Sequence, residues 1–419
     1  MLALALAAPF APAAAAPEGA AAPARNGAGS AIQHVVYIIQ ENRSFNFLFK
    51  GFKGAKTASY GYDTAGNRIK LHAQSIASGW DIDHSLPAFE AAYNGGQLNG
   101  WNNETACCRQ PANFAYAFAP KKETATYWAM AQQYVLSDET FQSHLDGSFV
   151  AHQYAIAAYA NAEVNYPTTA WGCQGGQSDV IATLTSDRQY GPSVPACEDY
   201  TTLGDELDGA SLPWRYYTYA YNTDGSQWSA YSAIDHIFNG PDWSNVVTPA
   251  SQFTSDVAAG TLAAVTWITP TYENSDHAGA ESTGGPAWVA SLVNAVGESQ
   301  FWNSTVIFIT WDDWGGWFDP VPPIYMDYDG LGFRVPLIAI SPYAKQGYVS
   351  HVQYESSSVL RFIEDTFGLG QLAASDARAA DPASDFFDFT QTPRTFTPFE
   401  VPQAPPSRWN GIRPPVGGD

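Results

Sequence analysis

His34-Val35-Val36-Tyr37-Ile38-Ile39 runs directly into Gln40-Glu41-Asn42-Arg43. The first six residues are largely apolar and β-branched, with no alternation between apolar and polar positions. That pattern fits a strand buried on both faces, as in a parallel sheet covered by helices. Similar runs recur at residues 262–269 (LAAVTWIT), 305–310 (TVIFIT) and 336–341 (PLIAIS), with 215–220 as a further candidate. Helical patterns lie among them at residues 148–159, 287–296 and 356–367. Strands alternating with helices predict an α/β fold, with a central, mostly parallel sheet and helices on both faces. No internal repeat is present.

The ends of the chain read differently. Residues 2–9 (LALALAAP) and the following Ala13-Ala14-Ala15-Ala16-Pro17 resemble the apolar stretch and small-residue cleavage site of a secretory signal without its positive start. This predicts a signal remnant over 1–16 and a secreted or periplasmic protein. Residues 17–30 have the composition of a disordered linker. A single catalytic domain is expected over 31–395. Within it, residues 160–260, rich in Gly, Tyr, Trp and Asn, are expected to form loops or a cap. A Pro-rich extended tail is expected over 396–419. The first apolar stretch is too short to span a bilayer, and no later run of that length follows.

Composition narrows the function. Of 419 residues, 45% are hydrophobic and only 14% are charged, against roughly 25% in an average soluble domain. Nineteen basic and 41 acidic residues give a net charge of −22. Such a chain repels nucleic-acid phosphates, which excludes DNA or RNA as an expected partner. The same field opposes any anionic substrate unless a bound divalent cation reverses it locally. Four cysteines, Cys107, Cys108, Cys173 and Cys197, suit disulfides in an exported chain. Cys173 and Cys197 flank a Gly/Ser/Pro-rich stretch that a bridge would close, whereas adjacent Cys107 and Cys108 would make a strained one.

Each strand pattern is followed at once by polar residues. Gln40, Glu41, Asn42 and Arg43 follow the first. Glu273, Asp276 and His277 follow LAAVTWIT; Trp311, Asp312 and Asp313 follow TVIFIT; Tyr343, Lys345 and His351 follow PLIAIS. Ligands of open α/β sheets bind beyond the carboxyl ends of the strands, so these groups are expected on one rim. Adjacent carboxylates in a cleft repel each other, and a divalent cation resolves that. Glu41, Asp312 and Asp313 offer hard oxygen ligands and Asn42 a neutral carbonyl. The alternative is that Asp312 and Asp313 cap a turn into Gly315-Gly316 while Glu41 pairs with Arg43. Ser148 opens a helical pattern. There it is either an N-cap or a hydroxyl that a metal and a helix N-terminus would activate as a nucleophile. His152, four residues later, is expected to pack within its helix.

These motifs resemble the bacterial phosphoesterase family that contains phospholipases C and respiratory-burst-inhibiting acid phosphatases, whose core fold is similar to that of alkaline phosphatase. Glu41-Asn42-Arg43-Ser44-Phe45 resembles its N-terminal motif, and Asp83-His84 with Asn94-Gly95-Gly96 its second. Asp146-Gly147-Ser148 is similar to its nucleophile loop. Trp302-Asn303-Ser304-Thr305 leading to Trp311-Asp312-Asp313-Trp314-Gly315-Gly316, and Arg334-Val335-Pro336-Leu337 through Ser350-His351, complete the likeness over about residues 33–368.

The resemblance implies that Glu41, Asn42, Asp312, Asp313 and Ser148 hold one or more divalent ions (Mg, Ca, Mn or Zn), with Ser148 also the nucleophile. His84, His277 and His351 would contact phosphate or protonate the leaving group, and Asp276 and Trp314 would line the substrate site. It implies a small phosphate ester or a phospholipid as substrate. The chain departs from the family pattern at Asn46, Ala151 and Pro320. The short stretch beyond the core points towards an acid phosphatase or broad phosphomonoesterase. Trp311, Trp314, Trp317 and Phe318 would instead suit the choline head group of a phospholipase C substrate. The altered nucleophile loop also leaves a non-catalytic binding protein of the same fold as an alternative.

Overall fold

The computed structural model describes residues 27–106, 110–223 and 225–403. Eight strands form its central sheet. In chain order they are β1 (His34–Gln40), β2 (Val135–Ser137), β3 (Trp214–Tyr217), β4 (Val246–Val247), β5 (Val265–Ile268), β6 (Thr305–Trp311), β7 (Leu337–Ile340) and β8 (Tyr348–Ser350). Their spatial order is β4-β3-β5-β1-β6-β7-β2-β8. The strand that decided the fold from sequence therefore lies at the centre, parallel to β5 and β6. In β1, every residue from Val35 to Gln40 is buried, as both faces are covered.

The two faces carry different helices. Phe308 and Trp311 of β6 stand three residues apart, so they point to opposite sides of the sheet. Phe308 packs edge-on against Phe362 of the helix Ser358–Phe367, with ring centroids 5.1 Å apart. Trp311 meets Tyr127 of the helix Ala125–Gln133 at 4.9 Å. The helix Ser148–Ala157 lies on the Phe308 side, where Trp267 Nε1 of β5 donates to Ala155 O at 2.9 Å. Each fully buried Val, Ile or Phe contributes roughly 1.5–3 kcal/mol, so this double-sided core carries the fold.

One strand breaks the parallel rule. β7 runs antiparallel to both β6 and β2. The connection from β6 contains no crossover helix; it stays at the rim and turns back. The polar residues after β7 consequently lie at the opposite edge, which corrects the expectation that all strand exits converge. Tyr343 donates to Asn303 O, just ahead of β6, at 3.0 Å, and Lys345 approaches Asp385 at 4.0 Å.

Residues 160–260 are not wholly a cap, since β3 and β4 belong to the central sheet. The same segment also forms a small antiparallel sheet from Glu163–Val164, Val180–Thr183 and Val194–Pro195. Cys173 and Cys197 are joined by a disulfide in this lobe. The last four residues of the expected linker form a 3-10 turn, Gly27–Ser30, with Ala28 fully buried. The start of the expected tail lies along the surface of the helix Gly285–Gly297, where Asn294 exchanges two 2.8 Å hydrogen bonds with the Phe399 backbone. The signal call, most of the linker, Cys107, Cys108 and the rest of the tail lie outside the described residues.

Candidate active site

β1 and β6 end level with each other, Gln40 opposite Trp311. Asp312 N then donates to Gln40 O at 2.9 Å, so the ladder reaches one step beyond the strands. Glu41-Asn42 and Asp312-Asp313 are thereby held side by side. Asn42 adopts φ +55°, a left-handed conformation that asparagine tolerates better than most residues. Its backbone N donates to Asp312 Oδ1 at 2.8 Å. Its side-chain amide lies 3.2 Å from both Ser148 Oγ and Asp313 Oδ2.

Two glycines make this approach possible. Gly315 and Gly316 have φ of +60° and +74°. A Cβ on Gly315 would lie 2.1 Å from Asn42 O, and one on Gly316 would lie 2.1 Å from Ile82 Cγ2. The turn after Asp313 thus requires glycine for space as well as for conformation.

Ser148 is the first residue of its helix; the cap position is Gly147. The hydroxyl is therefore not an N-cap. It donates to Asp313 Oδ2 at 3.1 Å and accepts from Asn42. The turn-capping alternative for the acidic pair holds for a single oxygen: Asp313 Oδ1 accepts from Gly315 N at 2.7 Å. The Glu41–Arg43 alternative does not hold. Arg43 donates to Asn42 O and Ile76 O, and its guanidinium rests over the rings of Phe47 and Trp317.

Glu41 instead meets His152, whose Nε2 lies 3.1 Å from Glu41 Oε1 and 3.9 Å from Asp312 Oδ2. Glu41, His152 and Asp312 each bring a potential ligand atom within 4.8 Å of the others. His152 is the candidate ligand that the sequence reading missed. Helical spacing was the available signal, because position 152 falls one turn beyond Ser148 on the same side of the helix.

His84 Nδ1 lies 2.6 Å from Ile82 O, which places the ring proton there and leaves Nε2 to accept from Asn42 Nδ2 at 2.8 Å. His277 stands beside it, with ring centroids 6.2 Å apart. His351 lies elsewhere. It follows β8 on the same rim, but three strands from β6, roughly 14 Å at the usual strand spacing. There it bonds Asp138 at 2.8 Å with half of its side chain exposed.

Asp276 is fully buried and accepts from Tyr127 Oη at 2.8 Å and Trp311 Nε1 at 3.0 Å. It ties the rim to the sheet and offers no exposed face to a substrate. Trp314 is likewise buried, packed on Trp101 and Phe333. Trp311, Trp317 and Phe318 are buried as well, which removes the aromatic head-group cage expected from these four residues.

The cluster is nearly closed to solvent, and Asp312, at 5%, is the most exposed of its carboxylates. Burial and then the neighbouring Asp312 charge push Asp313 well above the ordinary carboxylate range. Burial also pushes Asp312 up, but His152 and surrounding hydrogen bonds outweigh it and hold Asp312 below its usual value. Two such carboxylates cannot both ionise in a dry site without a cation. Asp312 Oδ2 and Asn42 Oδ1 are buried and, among the described residues, accept no hydrogen bond. Hard oxygen donors, a carboxyl pushed towards its neutral form by burial and the neighbouring charge, and two acceptors without a donor among the described residues fit a divalent metal.

The chain belongs to the Phosphoesterase family, whose pattern it matches over residues 32–370. It is 25% identical to the hemolytic phospholipase C of Pseudomonas aeruginosa, over 87% of this chain and 57% of that protein. The chain thus spans little more than half of that relative's length. It is 23% identical to phospholipase C A of Mycobacterium tuberculosis, over 88% of this chain and 79% of the relative. Among solved structures, an alkaline phosphatase superfamily protein from Vibrio parahaemolyticus aligns with 85% of this chain and 72% of its own at 9% identity and a TM-score of 0.41. Among the described residues, no helix is long and apolar enough to cross a membrane.

Proposed function

We propose that this chain is an exported, metal-dependent phosphoester hydrolase that works through Ser148. The observation carrying this reading is the Ser148 hydroxyl, held at a helix N-terminus within 3.1 Å of Asp313 and 3.2 Å of Asn42. Glu41, Asn42, Asp312, Asp313 and Ser148 would hold the metal, with His152 beside them. When bound, the ion supplies positive charge that lowers the hydroxyl's pKa and balances the phosphate.

The remaining work belongs to the chain. Ser148 Oγ loses its proton and attacks phosphorus; the ester oxygen leaves, and a phosphoseryl group remains for water to release. Free N–H groups at the helix start face the anion. His84 and His277 are placed to contact phosphate oxygens or to return a proton to the leaving oxygen, a contribution of roughly 10²–10⁴-fold in rate.

The phospholipase C names of the relatives favour a phosphodiester over the monoester expected from the chain's short end. Assays on p-nitrophenyl phosphate and p-nitrophenyl phosphorylcholine with Mg²⁺, Ca²⁺, Mn²⁺ or Zn²⁺ separate the two. No turnover of either ester with any ion would leave the binding-protein alternative. Ser148→Ala should lower turnover by at least roughly 10³-fold while phosphate still binds. A wild-type rate in that variant would remove Ser148 as nucleophile.

A further inference from the structure

Ser148 and Asp313 lie 165 positions apart, so two separate loops must be held in register for their side chains to meet at 3.1 Å. One side chain bonds the backbones of both loops. Gln142 is fully buried. Its Oε1 accepts from the backbone N of Trp314, the residue after Asp313, at 3.2 Å. Its Nε2 donates to the backbone O of Asp146, two residues before Ser148, at 3.1 Å, and lies 3.4 Å from His144 Nδ1. Only one orientation of the amide works here. Reversed, it would set its oxygen against the Asp146 carbonyl and its N–H against the Trp314 N–H.

The backbone that carries this amide is itself fixed. Gln142 N donates to Phe333 O at 3.0 Å, and Gly332 N donates to Gln142 O at 2.9 Å. A Cβ on Gly332 would lie 2.2 Å from His144 O, so the two segments close up only with glycine there. Without the Gln142 amide, Trp314 N and Asp146 O would each lose this buried partner. Buried backbone groups left in that state regain a partner by shifting the loop that carries them.

Resting on the phosphoester reading, we propose that Gln142 is a positioning residue that holds the Ser148 hydroxyl against Asp313. Fully buried, it acts through the two loops rather than on substrate. Its anchored backbone makes it a fixed spacer between them. A nucleophile misplaced by about 1 Å costs roughly 10²-fold in rate, so the spacing that this amide sets matters more than the modest stability of its hydrogen bonds.

Gln142→Met and Gln142→Glu, made in the full chain, separate this role from packing. On the p-nitrophenyl ester that the wild type hydrolyses, with saturating metal, Gln142→Met should lower kcat about 10²-fold and leave KM within about threefold. Gln142→Glu should restore kcat at low pH alone. A protonated carboxyl donates to Asp146 O and accepts from Trp314 N, whereas an ionised one cannot donate. Its kcat relative to wild type should therefore fall as pH rises from about 5 to about 9, while the ratio for Gln142→Met stays flat. Crystal structures of the wild type and Gln142→Met give a readout without turnover: the Ser148 Oγ–Asp313 Oδ2 separation should grow beyond roughly 3.5 Å in the variant. A wild-type kcat in Gln142→Met, or an unchanged separation, would overturn the proposal, as would a Gln142→Glu ratio that does not vary with pH. If Gln142→Met fails to fold, the pH dependence of Gln142→Glu decides. If the wild type hydrolyses no ester, the phosphoester reading fails, and the crystal structures alone decide whether Gln142 sets the separation.

Discussion

His152 shows how much a single side chain adds at this site. Burial holds its pKa down to about 4 despite the pull of Asp312, so the ring is neutral at pH 7. A neutral imidazole beside Glu41 and Asp312 serves either as a nitrogen ligand or as an orienting partner for the carboxylates. Loss of such a partner typically costs roughly 10–100-fold in metal affinity. His152→Ala should therefore retain the fold but bind Mn²⁺ or Zn²⁺ more weakly by that factor, measured by calorimetry against a competing chelator. Unchanged affinity would make His152 a packing residue only.

At the scale of elements, the site depends on where the chain turns back. The connection from β6 to β7 stays on the rim, and Gly315 and Gly316 let it pass within contact of Asn42 and Ile82. The lobe built from the small antiparallel sheet has its own fastening, a disulfide between residues 24 apart. Closing a loop of that length stabilises by about 3 kcal/mol in the chain-entropy view. Arg188 lies inside this loop, with its guanidinium 3.6 Å from the centre of the Tyr325 ring. Replacing both Cys173 and Cys197 by Ser should speed tryptic cleavage at Arg188 more than tenfold. An unchanged rate would mean that the Arg188 contacts alone hold the loop.

For the molecule as a whole, acidity is concentrated as well as abundant. Burial, and secondarily Asp327, raises Asp329 to about 7; its Oδ2 accepts from Tyr154 Oη at 2.5 Å. Burial also raises Glu364 to about 10. In the unfolded chain such groups titrate near 4. Between pH 4 and 7 the folded state therefore holds more protons than the unfolded state, and its stability falls as pH rises through that window. With chelator present, the melting temperature should be higher at pH 5 than at pH 8, and Asp329→Asn should narrow the difference. A melting temperature that rises from pH 5 to pH 8 would contradict this assignment.

At the same scale, sequence and tertiary structure divided the information by range. Unbroken apolar runs marked β1, β5 and β6, because a strand buried on both faces has no polar alternation to hide it. Helical periodicity placed the helix that begins at Ser148, and position just after buried strands placed Glu41-Asn42 and Asp312-Asp313 together on one rim. Four things needed the folded chain. The direction of β7 was invisible because an apolar strand reads the same either way, and that direction sent Tyr343 and Lys345 to the far edge. Trp314 and its aromatic neighbours read equally well as cage or core, and only packing shows them inside. His351 reached the predicted rim but the wrong strand, since sequence does not encode spatial strand order. His152 joined Glu41 because a helix crossing the sheet brings together residues that lie 111 positions apart.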